Sequence, residues 1–128
     1  MAKILLDSGL LIRYLRNHQP TVQLMLTLGR TERLAISVIT RLELKTGMHT
    51  EERYKTQKLL ARFTCYELDL HIADQTGELI RRLQSEGRGI SIPDAVIAVT
   101  ALAHRLTLVT YNQAHFEIVP GLSLYKFP

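Results

Sequence analysis

Short apolar runs, separated by longer stretches of helical period, recur along the chain, and that alternation restricts the fold more than any other feature. The first run, Lys3–Leu6, is almost wholly apolar and stops at Asp7, the pattern of a strand buried on both faces. Leu34–Ile36, Cys65–Leu68, Leu106–Val109 and Leu122–Tyr125 read as further strands. Between them the period changes to that of helices. Gly9 to about His18 carries Leu10, Leu11, Tyr14 and Leu15 on one stripe, with Arg13 and Arg16 opposite. Residues 21–28 suggest a second helix, and Ser37 can cap a third that runs to about Thr46 before Gly47. On that third helix Val38, Ile39, Leu42 and Thr46 form the expected inward stripe, with Glu43 at its border. Residues 51–63 are helical in pattern. Ile72–Gln84 is the clearest helix, with Ile72, Thr76, Leu79, Ile80 and Leu83 on one face and Glu78 and Arg82 four apart on the solvent side. Residues 92–105 are apolar nearly all round, so that helix is expected to be buried.

Strands alternating with helices predict a three-layer α/β/α fold around a mostly parallel, about five-stranded sheet. With 128 residues and no linker, repeat or low-complexity stretch, residues 1–128 are expected to form a single domain. The one cysteine, Cys65, excludes an intramolecular disulfide and points to a reducing cytoplasm. No apolar run approaches the roughly 18 residues of a membrane span, and the first residues do not read as a signal peptide. Charge is uneven. Residues 1–64 hold eleven bases and five acids, residues 65–128 five and seven, within a net charge of +4. A basic half is compatible with a polyanionic partner such as nucleic acid.

In a parallel sheet, ligands gather beyond the carboxyl ends of the strands, and three acids are expected there. Asp7 closes the first strand, Asp94 opens the most apolar helix, and Glu43 lies one turn into the helix that follows the second strand. Each also has a purely structural reading. Asp7 or Ser8 could cap a helix, Asp94 could complete a capping box with Ser91, and Glu43 could pair with Arg41 or Lys45. Together, converging carboxylates repel one another and resist burial unless a cation joins them, and hard oxygen donors suit Mg²⁺ or Mn²⁺ rather than zinc.

The segments together resemble the PIN-domain ribonucleases, and within them the VapC-type toxins of toxin–antitoxin pairs. The resemblance covers nearly the whole chain. It is carried by Ile4-Leu-Leu-Asp7-Ser8-Gly9-Leu-Leu-Ile12, Ile36-Ser-Val-Ile-Thr-Arg-Leu-Glu43, Ile90-Ser-Ile-Pro-Asp94-Ala-Val-Ile-Ala98 and Leu108-Val-Thr110-Tyr-Asn112-Gln-Ala-His-Phe116, followed by Pro120-Gly121-Leu122. It implies that Asp7, Glu43 and Asp94 bind a divalent metal, Mg²⁺ or Mn²⁺, which activates water against an RNA phosphodiester. Ser8 and Thr110 are then expected to help shape the site. This chain has Asp7-Ser8-Gly9 where the family often has Asp-Thr-Asn, and Asn112 stands at the fourth acidic position, keeping an oxygen ligand without its charge. Arg13, Arg16, Arg41 and Lys45 are candidate RNA phosphate contacts. The resemblance further implies a cognate antitoxin protein whose C-terminal segment covers the groove, a homodimer, and translation arrest by RNA cleavage.

Other readings compete. A histidine-based nuclease would need converging imidazoles, yet His18, His49, His71, His104 and His115 fall in unrelated segments, with only His115 near the expected edge and read as a surface or capping residue. A phosphoacceptor domain would need an acidic pair after the first strand and an Asp closing the third; Asp7 stands alone and Asp69 is followed by Leu70. A housekeeping RNA-processing PIN nuclease and a non-catalytic binding module of the same fold are the remaining alternatives.

Overall fold

The computed structural model describes residues 2–127. Its strands are β1 (Ala2–Leu6), β2 (Arg33–Ser37), β3 (Thr64–Tyr66), β4 (Thr107–Val109) and β5 (Ser123–Leu124). Its α-helices are α1 (Ser8–Leu15), α2 (Gln19–Thr31), α3 (Val38–Gly47), α4 (Arg53–Leu60), α5 (Leu70–Ser85), α6 (Ile92–His104) and α7 (Gln113–Phe116). The sheet order is β3-β2-β1-β4-β5, and every adjacent pair is parallel. This is the expected α/β architecture. The order reverses at β1, so the crevice for a ligand falls beyond the carboxyl end of β1.

Period-two alternation divides the strands between two cores. Ile4, Leu6, Leu34, Ile36 and Val109 pack with Leu10, Leu11, Leu15, Met25, Leu28, Leu44, Leu59 and Leu60. Leu5, Ala35 and Leu108 face the opposite side and pack with Ile97, Ala98, Ala101, Phe116 and Val119. Helices therefore cover both faces, as a parallel sheet requires.

Several boundaries differ from the sequence reading. The first helix starts at Ser8 and ends at Leu15, because Asp7 itself is the N-cap and Asn17 (φ 60°) turns the chain out. The second spans Gln19–Thr31, since Pro20 sits in its first turn, where a proline costs nothing. The region 51–63 is a 3-10 turn at Thr50–Glu52 followed by α4. β3 ends at Tyr66, because Asp69 already caps α5 by accepting from Ile72 N–H at 2.8 Å. That bond gives Asp69 a helix-capping role. Residues after β4 form the short α7, which buries Phe116.

The clearest correction concerns α3. Leu42 is 57% exposed and Thr46 is exposed, so of the expected stripe Ile39 packs against the core and Val38 is half-buried, while the fully buried residues are Thr40 and Leu44. Thr40 can be buried because its hydroxyl meets that of Ser8 at 3.3 Å, and the rotation brings Glu43 round beside it. On α5 the inward Ile72, Thr76 and Leu83 are buried as expected, but Arg82 pairs with Glu86 at 3.5 Å rather than with Glu78.

Candidate active site

The carboxyl end of β1 delivers Asp7 directly into the crevice. Its Oδ1 accepts the Ser8 N–H at 2.8 Å as the cap of α1, and its Oδ2 accepts the Thr110 hydroxyl at 2.7 Å. Asp7 is only 5% exposed. Burial pushes its carboxyl above the usual range; the bonds from Thr110 and Ser8 oppose that shift, and the charges of Asp94 and Glu43 add to it. Asp7 thus feels both other acids, as the sequence reading expected.

Glu43 is positioned by the neighbour of Asp7 in sequence. The Ser8 hydroxyl donates to Glu43 Oε1 at 2.6 Å, the short distance of a charge-assisted bond. Neither Arg41 nor Lys45 pairs with Glu43, so the helix-surface ion pair is not formed. Asp94 lies at the start of α6. That helix runs back against the direction of β4, so its first turn overhangs the carboxyl edge. Ser91 Oγ accepts the Asp94 N–H at 3.2 Å and caps the helix. The Asp94 carboxylate does not complete the box; its Oδ2 lies 3.5 Å from His115 Nδ1.

The donor set is oxygen-only, with one carboxylate fully buried and two others bearing on it. Among the described residues, no lysine or arginine forms an ion pair with Asp7, Glu43 or Asp94. Nor do any three carboxylate, imidazole or thiolate side chains close into a tight ligand cage. Asp7 is buried and Glu43 and Asp94 are half-buried, a set of hard oxygen donors that suits a small hard cation keeping several of its waters. The chemistry of the donors therefore fits a hard divalent cation.

Asn112 is exposed and carries α7 from its N-cap position, with no side-chain capping bond. Its backbone N–H donates to Thr110 Oγ1 at 2.9 Å, so it joins the hydrogen-bonded chain that ends on Asp7. The four basic residues fare differently. Arg16 shares the wall of a small cleft, about 40 Å³, with Glu43. The Arg13 guanidinium stacks 4.6 Å above the Tyr111 ring. Arg41 lies near Cys65, where it holds the thiol pKa down against the dominant effect of burial. Lys45 is half-buried in the last turn of α3.

Residues 4–122 match the PIN-domain family. The chain belongs to that family. Within it the likeness is to the VapC group. The chain is 36% identical over 119 residues to ribonuclease VapC10 of Mycobacterium tuberculosis, covering 93% of this chain and 90% of the relative. Among solved structures, DNA-bound VapBC from Salmonella typhimurium superposes with a TM-score of 0.86 at 27% identity, covering 98% of each chain. A toxin–antitoxin complex from Klebsiella pneumoniae gives 0.75 at 27% identity, over 98% of this chain and 100% of the other.

In this PIN domain, the sequence reading missed two participants. Thr40 was absent from it, because a threonine inside an apolar stripe looks like a surface residue until a second hydroxyl is found to satisfy it. His115 is a surface residue, as expected, and from the surface its Nδ1 meets Asp94, a pairing the sequence reading did not reveal. Its spacing from Asn112, one turn on, was the available signal. Of the remaining histidines, His18 bonds Thr21 at 2.7 Å and His104 stacks on Tyr66. They do not assemble a histidine-only centre.

Proposed function

We propose that this chain is a VapC-type toxin, an endoribonuclease that hydrolyses RNA phosphodiester bonds with Mg²⁺ or Mn²⁺ and thereby arrests translation. The observation that carries this reading is the buried Asp7 carboxylate, held by Thr110 and Ser8 and facing the charges of Glu43 and Asp94 without a basic counter-ion from lysine or arginine. Such an arrangement costs stability in a protein that does not use it.

Asp7 and Asp94 are the residues that would hold the ion, with Asn112 as a further oxygen donor. A bound divalent ion supplies Lewis acidity to the phosphoryl oxygens and a more acidic water. The protein residues do the rest. Ser8 fixes Glu43 through Oε1, which leaves Oε2 to orient the attacking water and accept its proton. Thr110 keeps Asp7 in one rotamer. Arg16, at the rim of the Glu43 cleft, is placed to hold a neighbouring phosphate. Arg13, Arg41 and Lys45 add positive field along the RNA path rather than contacts at the scissile bond.

The partner is a cognate antitoxin, and the pair works in the cytoplasm, with the toxin as a homodimer. No helix among the described residues is long and apolar enough to cross a membrane, and the exposed Leu42, Leu70 and Ile92 leave apolar surface for protein contacts.

Purified protein should cut RNA with Mg²⁺ or Mn²⁺ and stop when a chelator is added, and Asp7→Ala and Asp94→Ala should abolish cutting. Expression alone should arrest growth, with co-expression of the adjacent gene restoring it. Full cutting in chelator would overturn the metal mechanism. Harmless overexpression of folded protein, with no neighbour that binds it, would overturn the toxin assignment.

A further inference from the structure

A second cleft opens beside Asp94. It has a volume of about 360 Å³, and its walls include Asp94, Arg88, Ile90, His115 and Ile118. That volume lies within the range of small-molecule sites. Its lining is mixed in a way that matches one kind of occupant. Ile90 and Ile118 are half-buried and present apolar surface. Arg88 is exposed and, among the described residues, has no carboxylate partner. His115 turns Nδ1 towards Asp94, which leaves Nε2 for another group.

Arg88 is fixed in place by the end of α5. Gly87, at φ 75°, turns the chain, its N–H donates to Gln84 O at 3.0 Å, and the Arg88 N–H donates to Leu83 O at 2.8 Å. These are the two bonds of a Schellman motif. The left-handed Gly87 therefore sets Arg88 at the mouth of the cleft rather than along the helix.

We infer that this cleft seats the RNA nucleotide next to the scissile phosphate, with Arg88 and His115 holding its phosphate or ribose oxygens and Ile90 and Ile118 backing its base. The inference rests on the ribonuclease reading above, because Asp94, whose charge bears on Asp7, also lines this cleft. A strand whose phosphate lies at the acids must pass over Asp94. The next nucleotide then meets a cation, an imidazole donor and an apolar wall within one cleft, the combination used to recognise unpaired nucleotides. Arg88 and His115 are substrate-binding residues in this assignment, and their loss should weaken binding more than it slows the bound substrate.

The test is RNA binding with chelator present, followed separately by cleavage kinetics. A fluorescein-labelled single-stranded RNA of about eight nucleotides is titrated by anisotropy. Arg88→Ala should weaken binding about tenfold, and the salt slope should fall by roughly 0.7, the share of one phosphate contact on a single strand. Arg88→Lys should recover most of the loss, and His115→Ala should weaken binding several-fold. In cleavage, Arg88→Ala should raise KM and leave kcat within about twofold. All of these side chains are exposed, so melting temperatures should be unchanged. Wild-type binding by Arg88→Ala and His115→Ala, or a loss confined to kcat, overturns the assignment. So does weakened antitoxin binding with intact RNA binding, which would give the cleft to the partner protein. If the wild-type chain binds RNA through Arg88 but cuts none, the nuclease reading fails and the cleft assignment stands.

Discussion

Thr110 and Asp7 lie 103 residues apart in sequence, and the Thr110 hydroxyl donates to Asp7 Oδ2 at 2.7 Å within the buried floor of the crevice. The two meet because β1 and β4 are parallel neighbours, with Leu6 paired to Val109, so the next residue of each strand emerges at the same edge. Thr110→Val keeps the shape and deletes the donor. It also leaves the Asn112 N–H without its acceptor. Loss of the bond to a buried carboxylate should cost roughly 2 kcal/mol. It should also raise the Asp7 pKa further, because that bond now lowers it. Thermal melts at neutral pH in chelator, together with RNA cutting, would check both effects. An unchanged melt would remove Thr110 from the support of Asp7.

Asp7 has a pH signature of opposite sign to that of an ordinary surface carboxylate. Its folded pKa is raised above the ordinary value of 3.8, chiefly by burial. The folded state therefore binds the proton more tightly than the unfolded chain. Stability falls as pH rises from 3.8 through the folded pKa, and the destabilisation is complete above it. In metal-free protein, Asp7→Asn should then melt higher than wild type at neutral pH, and the difference should shrink as pH falls through that window. Asn also remains a good helix cap. The same variant should be inactive on RNA. Equal melting at neutral pH would mean that the charge carries no penalty there.

The frame of this fold was legible because parallel strands leave a strong mark: Leu5, Leu6, Ala35 and Ile36 must all be apolar to be covered on both faces. Asp7 and Asp94 stand out in the sequence because one follows an apolar run and the other opens a buried helix, whereas Glu43 lies mid-helix at the border of a stripe. What was not legible depended on pairs distant in sequence. The turn of α3 about its axis is decided by Ser8, which satisfies Thr40 and holds Glu43, and a helical wheel built from apolar residues alone cannot contain that. The meeting of His115 with Asp94 depends likewise on the short α7, whose four residues give little period to read.

Thr56 marks a place where the fold can be improved without touching the site. It is fully buried on α4, and its Oγ1 finds no hydrogen-bond partner among the described residues. Valine has nearly the same shape and a similar helix propensity. Thr56→Val should raise stability by about 1 kcal/mol by removing an unsatisfied buried hydroxyl. RNA cutting should be unaffected. Urea denaturation checks it, and a destabilised variant would show that the hydroxyl is satisfied in solution.

Asn112 separates a metal ligand from a simple turn residue. It occupies the N-cap of α7 without using its side chain as a cap, and its backbone is tied to Thr110, which in turn holds Asp7. Its exposed side chain stands two residues beyond Thr110. Asn112→Asp replaces a neutral donor by a charged one, and hard divalent cations gain affinity with ligand charge. Mg²⁺ and Mn²⁺ should bind the variant more tightly. A fourth carboxylate adds repulsion when no ion is bound, so Asp7 should be pushed further up and metal-free stability should fall slightly at neutral pH. Added metal should reverse that loss through its preference for the folded state. A turn residue would behave differently, since an Asp at an N-cap is at least as good as Asn and would leave metal binding alone. Calorimetric titration of wild type and variant decides between them. Equal affinities with unchanged metal-free melting would leave Asp7, Glu43 and Asp94 as the whole metal-binding set.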